Sequence, residues 1–241
     1  MNSPLVTVIT PTTGSAFLSQ ACRSVESQTY KNIQHLIVID GLHHKQKTEN
    51  QIASNADVIV LPYATGVDNY LGHRIYGAST YLAKGEYLVF LDEDNWLDAN
   101  HIESLVKALG ENKWSFSLRK IVDSKGNFIC RDNCESLGNW LSVLNDYFVD
   151  VNCYLLHKSI ALQFSPGWYR RARNTIEQPE VDRLLRGHLK KTNLTANCTG
   201  KYTLNYRAGN RNDSVQAKFF LNGNEAMGKK YNGKFPWEKE F

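Results

Sequence analysis

The chain is expected to fold as an α/β protein: a mostly parallel sheet covered by helices on both faces, followed by a mixed or antiparallel C-terminal part. Three observations predict this. Short β-branched and apolar runs alternate with helix-spaced segments through residues 1–110, the order of a helix-covered parallel sheet. Tyr87–Leu91 is apolar or aromatic without alternation, as in a strand buried on both faces. It runs directly into Asp92-Glu93-Asp94, where a strand leaving an open α/β sheet meets its ligand.

In order, Leu5–Thr10 reads as a strand ended by Pro11, and the turn Thr12-Thr13-Gly14-Ser15 follows. Phe17, Leu18, Ala21, Cys22 and Val25 recur at helical spacing. Ile33–Ile39 is a second strand ending at Asp40-Gly41, and Asp57–Leu61 a third closed by Pro62. A helix is expected over about Asn69–Lys84, stopped by Gly85. After the acidic strand, Ile102, Leu105, Val106 and Leu109 form a helical stripe, with Asp98 as N-cap and Gly110 past the end. Trp114–Val122 and Asn127–Cys130 flank Asp123-Ser124-Lys125-Gly126, a hairpin pattern. A helix around Leu137–Tyr147, a strand over Val149–Leu156, a functional loop over Phe164–Gln178, a helix from Pro179 to about Leu189 and a strand over Cys198–Arg207 complete the reading. The remainder reads as polar with Gly-Asn turns. Residues 1–110 are expected to bind a nucleotide-like ligand, and residues 111–241 a second substrate, within one compact domain.

Composition bounds the function. The 241 residues are 42% hydrophobic and 22% charged, ordinary for a globular chain. A net charge of +4 and an isoelectric point near 8.7 are too mild to indicate nucleic acid. No apolar run approaches the ~20 residues that span a bilayer, and the N-terminus lacks a charged leader. Five cysteines form no CxxC pair, which suits free thiols in a reducing cytoplasm. Membrane contact is expected to be peripheral at most, through Lys229-Lys230, Phe235, Trp237 and Phe241. His43-His44 reads as a solvated pair, and Cys130-x3-Cys134 with Cys153 or His157 lacks standard zinc spacing.

The three adjacent carboxylates repel one another unless a cation joins them, and oxygen-only donors select a hard divalent ion. Clustered arginines, Arg170, Arg171 and Arg173, are suitable counter-charges for a metal-bound diphosphate.

Four segments together resemble the inverting glycosyltransferases of family 2, which have the GT-A, Rossmann-like fold. They are Val6–Thr12, Ser24–Tyr30, Leu36–Gly41, and Gly85–Asp94 with its DxD motif, and the likeness is strongest over about residues 5–110. It implies a nucleotide-diphosphate sugar donor, most simply UDP-linked, a glycan or glycolipid acceptor, and Mn²⁺ or Mg²⁺. Carried over by motif, Thr10, Pro11 and Thr12 would border the base, Asp40 would hold base or ribose, and Arg74 would contact base, ribose or diphosphate. Asp94 would be the firmer metal ligand and Asp92 would lie nearer ribose or metal waters, with Glu93 pointing away. Asp40 is followed by Gly41-Leu42-His43-His44 rather than by the family's second acid and Gly-Ser.

Inversion needs one base opposite the leaving group, so it is expected from the second half. Glu180 is the first candidate by the family's helix-opening acids, Asp182 the second and Glu177 the third; Pro179 stands where the family has another acid. Both Glu180 and Asp182 would equally serve as first-turn acids on a helix dipole. Trp168 and Tyr169 are candidates to stack on a sugar ring. Arg207, Asn210 and Arg211 join the arginine cluster as candidates to close over the diphosphate. The competing readings are a non-catalytic module of the same fold and a sugar-nucleotide nucleotidyltransferase. The latter would need a Gly-rich, Arg-containing first loop, which Thr12–Ala16 is not.

Overall fold

The apolar run at the N-terminus forms β1 (Val6–Thr12), followed by α1 (Leu18–Glu26), β2 (Ile33–Ile39), the short α2 (Lys45–Glu49), β3 (Asp57–Val60) and α3 (His73–Leu82). Next come β4 (Tyr87–Phe90), β5 (Trp96–Leu97), α4 (His101–Leu109), β6 (Trp114–Val122), β7 (Phe128–Arg131) and β8 (Tyr154–His157). The chain continues through α5 (Lys158–Phe164), α6 (Val181–Lys191), β9 (Asn197–Arg207) and α7 (Ala217–Lys230). This computed structural model describes residues 3–52, 55–169, 181–192, 194–210 and 214–239.

Among the described residues the strands form one sheet in the order β3-β2-β1-β4-β8-β6-β9-β5, with β7 paired to β6. β1, β2, β3 and β4 are mutually parallel, whereas β8 joins β4 and β6 antiparallel. β9 lies parallel to β6, and β5 pairs antiparallel with β9. The expected parallel first half and mixed second half are therefore both present, fused through β4 and β8. The chain leaves β1 toward β2 on one side and returns to β4 on the other. That reversal between β1 and β4 is the switch point at which open α/β sheets open a crevice for ligands.

The core explains the elements. Leu88, Val89 and Phe90 are fully buried, as their unbroken apolar run requires. Helix α1 buries Leu18, Ala21, Cys22 and Val25, the predicted stripe. Helix α4 buries Ile102, Leu105 and Leu109 and packs on β6, β8 and β9. The hairpin is fixed by Asp123, whose carboxylate accepts from the Lys125 and Asn127 amides at 2.8 Å each, and by Gly126 at φ +91°. All five cysteines are free thiols.

Several expectations are corrected. Helix α3 begins at His73 rather than near Asn69, because Asp68, Asn69 and Leu71 take φ of 57°, 64° and 52°, which no right-handed helix admits. Gly85 is not its cap: a Cβ there would meet the Thr7 amide nitrogen at 2.6 Å, so glycine is needed for close passage beside β1. Asp98 is not the cap of α4; Asn100 holds that position, and Asp98 pairs with Lys120 and Asn205. No helix forms over Leu137–Tyr147. Gly138 turns at φ +62°, Asn145 at +59°, and Ser142 accepts the Leu144 amide. The strand expected over Val149–Leu156 is a 3-10 turn at Val151–Cys153 that leads into β8.

The C-terminal segment is not merely polar turns. It contains α7, which buries Phe220, Gly223 and Met227, and a Cβ on Gly223 would meet Cys134 Sγ at 2.6 Å. Trp237 is fully buried, stacks on Phe235 and donates Nε1–H to Asn133 at 2.9 Å. It is thus docked on its own domain and closed to a membrane; Phe241 lies outside the described residues. No described helix is long and apolar enough to cross a membrane.

Candidate active site

The site is built at the carboxyl ends of β1, β2 and β4. Strand β2 delivers Asp40, whose Oδ1 accepts from the Thr65 amide at 2.6 Å and hydroxyl at 2.9 Å, while Oδ2 accepts from the Gly66 amide at 2.8 Å. This carboxylate therefore folds the loop between β3 and α3 over the sheet edge. Arg74, in the first turn of α3, donates Nη1–H to the Thr65 carbonyl at 3.3 Å. Its guanidinium lies 3.3 Å from the Tyr70 ring centre and 4.5 Å from that of Tyr169. The Arg74 Nε is buried without a hydrogen-bond partner among the described residues. Asp40 and Arg74 thus form one wall of the crevice, joined through Thr65.

The opposite wall is the acidic turn after β4. Tyr76, two residues beyond Arg74 on α3, donates to Asp92 Oδ1 at 2.5 Å. Asn152 donates Nδ2–H to Asp92 Oδ2 at 2.7 Å and accepts the Asp92 amide at 2.6 Å. Asn210 donates to Asp94 Oδ2 at 2.6 Å and in turn accepts from Ser214. Glu93 points the other way, as expected: it accepts from the Thr12 hydroxyl at 2.5 Å, the Thr13 amide and hydroxyl, and the Ser15 amide at 2.8 Å. The middle acid of the motif therefore clamps the loop after β1 to the turn after β4.

Burial, and next the charge of Asp94, push the Asp92 carboxyl up to about 7. A carboxylate so disfavoured is relieved by a cation. Among the described residues no group of three or more His, Cys, Asp or Glu side chains is placed to hold a metal. Among the described residues the turn would supply Asp92 and Asp94, leaving other positions to phosphate oxygens and water, which suits Mg²⁺ or Mn²⁺ rather than an all-protein cage. The residues fit such an ion.

Other candidates are placed differently. Thr10 is fully buried and its hydroxyl pairs with His35 Nε2 at 3.0 Å, so it supports the site from beneath instead of bordering it. Pro11 lies against Gly72 at the head of α3. Trp168 is a core residue, 1% exposed and packed on Tyr76, Phe90 and Phe164, which rules out stacking on a sugar. Tyr169 is the exposed ring of that pair. Arg207 is also corrected: it is buried, and its guanidinium donates to the carbonyls of Asp94, Asp123 and Ser124 and to Gln20 Oε1. It braces the acidic turn and has no fork left for a diphosphate. Asp182 lies in the first turn of α6, where it accepts the Arg183 amide. Arg170, Arg171, Arg173, Glu177, Glu180 and Arg211 lie outside the described residues.

Sequence reasoning missed Tyr76 and Asn152. Tyr76 had a usable signal, standing two residues past Arg74 on a helix entering the sheet edge. Asn152 had none, since only the pairing of β8 with β4 brings it to Asp92.

Known proteins resemble this chain in sequence and in fold. A protein called an uncharacterized glycosyltransferase in Rickettsia typhi is 35% identical over 112 residues, 45% of this chain and 33% of the relative. Another of that description in Haemophilus influenzae is 25% identical over 146 residues, 60% of this chain and 54% of its own length. The chain spans about a third of the rickettsial relative. Among solved structures, Staphylococcus aureus TarS 1-349 in complex with UDP-GlcNAc superposes with TM-score 0.60 at 15% identity, covering 97% of this chain and 68% of that one. The UDP complex of TarS 1-349 gives TM-score 0.57 at 15% identity, covering 85% and 60%. These likenesses establish the GT-A type fold. Residues 7–148, more than half of the chain, match the family described as glycosyl transferase family 2, and the chain belongs to it.

Proposed function

We propose that the chain is an inverting, divalent-metal-dependent glycosyltransferase that moves a sugar from a UDP-linked donor to a hydroxyl of a glycan or glycolipid. One observation carries this reading: two carboxylates at the carboxyl end of β4, each oriented by a neighbouring amide or hydroxyl, stand at the switch point of the sheet. The TarS structures with UDP and UDP-GlcNAc support the choice of nucleotide.

Residues 1–110 serve as the donor half and residues 111–241 as the acceptor half. Pro11 and Thr12 border the base, and Asp40 with Arg74 holds base and ribose. Asp92 and Asp94 hold Mn²⁺ or Mg²⁺, which neutralises charge on the departing diphosphate. Arg170, Arg171 and Arg173 add guanidinium forks to the same phosphates. Glu180, just before α6, takes the proton from the acceptor hydroxyl, with Asp182 as second candidate. The free thiols agree with a reducing cytoplasm.

Glu180→Gln is expected to lower transfer by roughly 10²–10⁴-fold, the usual contribution of a general base, while Mn²⁺–UDP affinity by calorimetry stays unchanged. Unchanged turnover would remove Glu180 from the role. A chain that bound Mn²⁺–UDP yet released nucleotide from no donor would instead be a non-catalytic module. The pH profile is a second check. Because Asp92 must ionise to bind metal and its carboxyl is raised to about 7, affinity for Mn²⁺–UDP should fall by about tenfold per pH unit below 7 and level off above it. A flat profile between about pH 5.5 and 7.5 would contradict the assignment of Asp92 as a ligand.

A further inference from the structure

Behind the acidic turn a buried polar network crosses the sheet to the acceptor side. Asn152, fully buried, grips Asp92 at both backbone and side chain and donates from the same amide to Asp150 Oδ1 at 2.8 Å. The other oxygen of Asp150 accepts from Arg119 Nη1 at 2.5 Å. Arg119, 2% exposed, also donates to Asp132 at 2.8 Å and to Glu135. Glu135 uses its remaining oxygen to accept from Arg183 of α6 at 2.5 Å, and Arg183 reaches Asp146 as well. Each bond in this series ends on a group that has no freedom to turn without breaking the next.

We propose that Asn152 and Arg183 are positioning residues at the two ends of this network, which sets Asp92 and α6 in one frame. The chemistry of the amide supports it. Asn152 must accept from one N–H and donate to two carboxylates; an ionised carboxylate of that size could accept but not donate, and an apolar side chain does neither. The arrangement also explains why so many charges are buried. A buried ion cluster gains little over apolar packing in stability, but it fixes one geometry, because every alternative leaves a buried charge unpaired. Arg183 is the joint: its fork spans Glu135 on the network and Asp146 on the loop beneath α6, so the helix cannot shift by a turn without releasing Glu135. The role of Asp92 toward donor rests on the function proposed above; the network itself does not.

The test reads Asp92 directly, without ligand. In Arg183→Met, the Asp92 amide proton, bonded to Asn152 Oδ1, is expected to shift in a ¹⁵N–¹H spectrum and to exchange at least about tenfold faster, a loss of about 1.4 kcal/mol of local protection. The Val89 amide in β4, the strand before this turn, should keep its position. Arg183→Lys, which keeps the charge without the fork, should fall between. A purely structural role would lower the melting temperature while leaving the Asp92 amide in place, and that result overturns the proposal. Mn²⁺–UDP affinity is measured alongside, with at least a fivefold weakening expected in Arg183→Met and Asn152→Ala. Their double variant should be no weaker than the worse single one, as for two ends of one network; fully multiplied effects would count against it. If the native chain bound no UDP, the donor reading would fail, and the amide shift would still decide the network.

Discussion

Asp94→Asn is expected to lower metal-dependent nucleotide release by roughly 10³-fold or more and Mn²⁺–UDP affinity at least about tenfold, with little change in melting temperature. The substitution preserves size and removes charge from the side chain assigned as the firmer ligand. Its backbone carbonyl still accepts from Arg207 Nε at 3.0 Å, so the turn after β4 keeps its brace. What changes is the donor set. An amide oxygen is a weaker partner for a hard cation than a carboxylate, and the like-charge repulsion that helps raise Asp92 disappears with it. The carboxyl of Asp92 in the variant should therefore titrate lower than in the native chain. Wild-type turnover in Asp94→Asn would remove this residue from the chemistry.

Arg119→Met should cost about 3–5 kcal/mol of stability, the range for breaking a buried ion cluster from one side. At roughly 2–4 °C per kcal/mol for a chain of this size, the melting temperature should fall by roughly 6–20 °C at neutral pH. The reason is specific. Asp132, Glu135 and Asp150 all end on this guanidinium, and removing it leaves three carboxylates buried together. Burial by itself pushes the Asp132 carboxyl up, but Arg119 and the amides of Ser136 and Cys134 outweigh it and hold the group below its usual range. A depressed carboxylate adds stability above its unfolded value near 4, and that stability is lost as pH falls through the folded value. The difference between native and variant proteins should hence hold from pH 7 down to about 4 and shrink only below that, as Asp132 takes up its proton. A gap that widened on acidification would contradict this account of the cluster.

The first half of the fold was legible because its strands are buried on both faces and their apolar runs have one reading. The acidic turn was legible for the opposite reason: clustered carboxylates at a strand end have few uses. What escaped depends on contacts distant in sequence. Leu137–Tyr147 carries helix-forming residues, yet Gly138 and Asn145 take left-handed conformations that only the surrounding packing enforces. Helix α7 was hidden because its buried stripe is only Phe220, Gly223 and Met227, and the glycine counts as apolar only once Cys134 is known to touch it. In the site, Asp40 and Arg74 could be named from motif and spacing, but their junction at Thr65 could not. Trp168 and Arg207 misled for a common reason. An aromatic and a cation near a presumed ligand are read as reaching for it, whereas here one fills the core under α3 and the other braces the acidic turn.

The paired acids after β4 are proposed to serve transfer from a nucleotide-diphosphate sugar. The measurement that tests it most directly is nucleotide release from a panel of UDP-, GDP- and dTDP-sugars, with and without Mn²⁺ or Mg²⁺. The account predicts slow, metal-dependent release from a UDP-sugar and none after chelation. Release from no donor, together with no metal-dependent binding of any nucleotide, would contradict it.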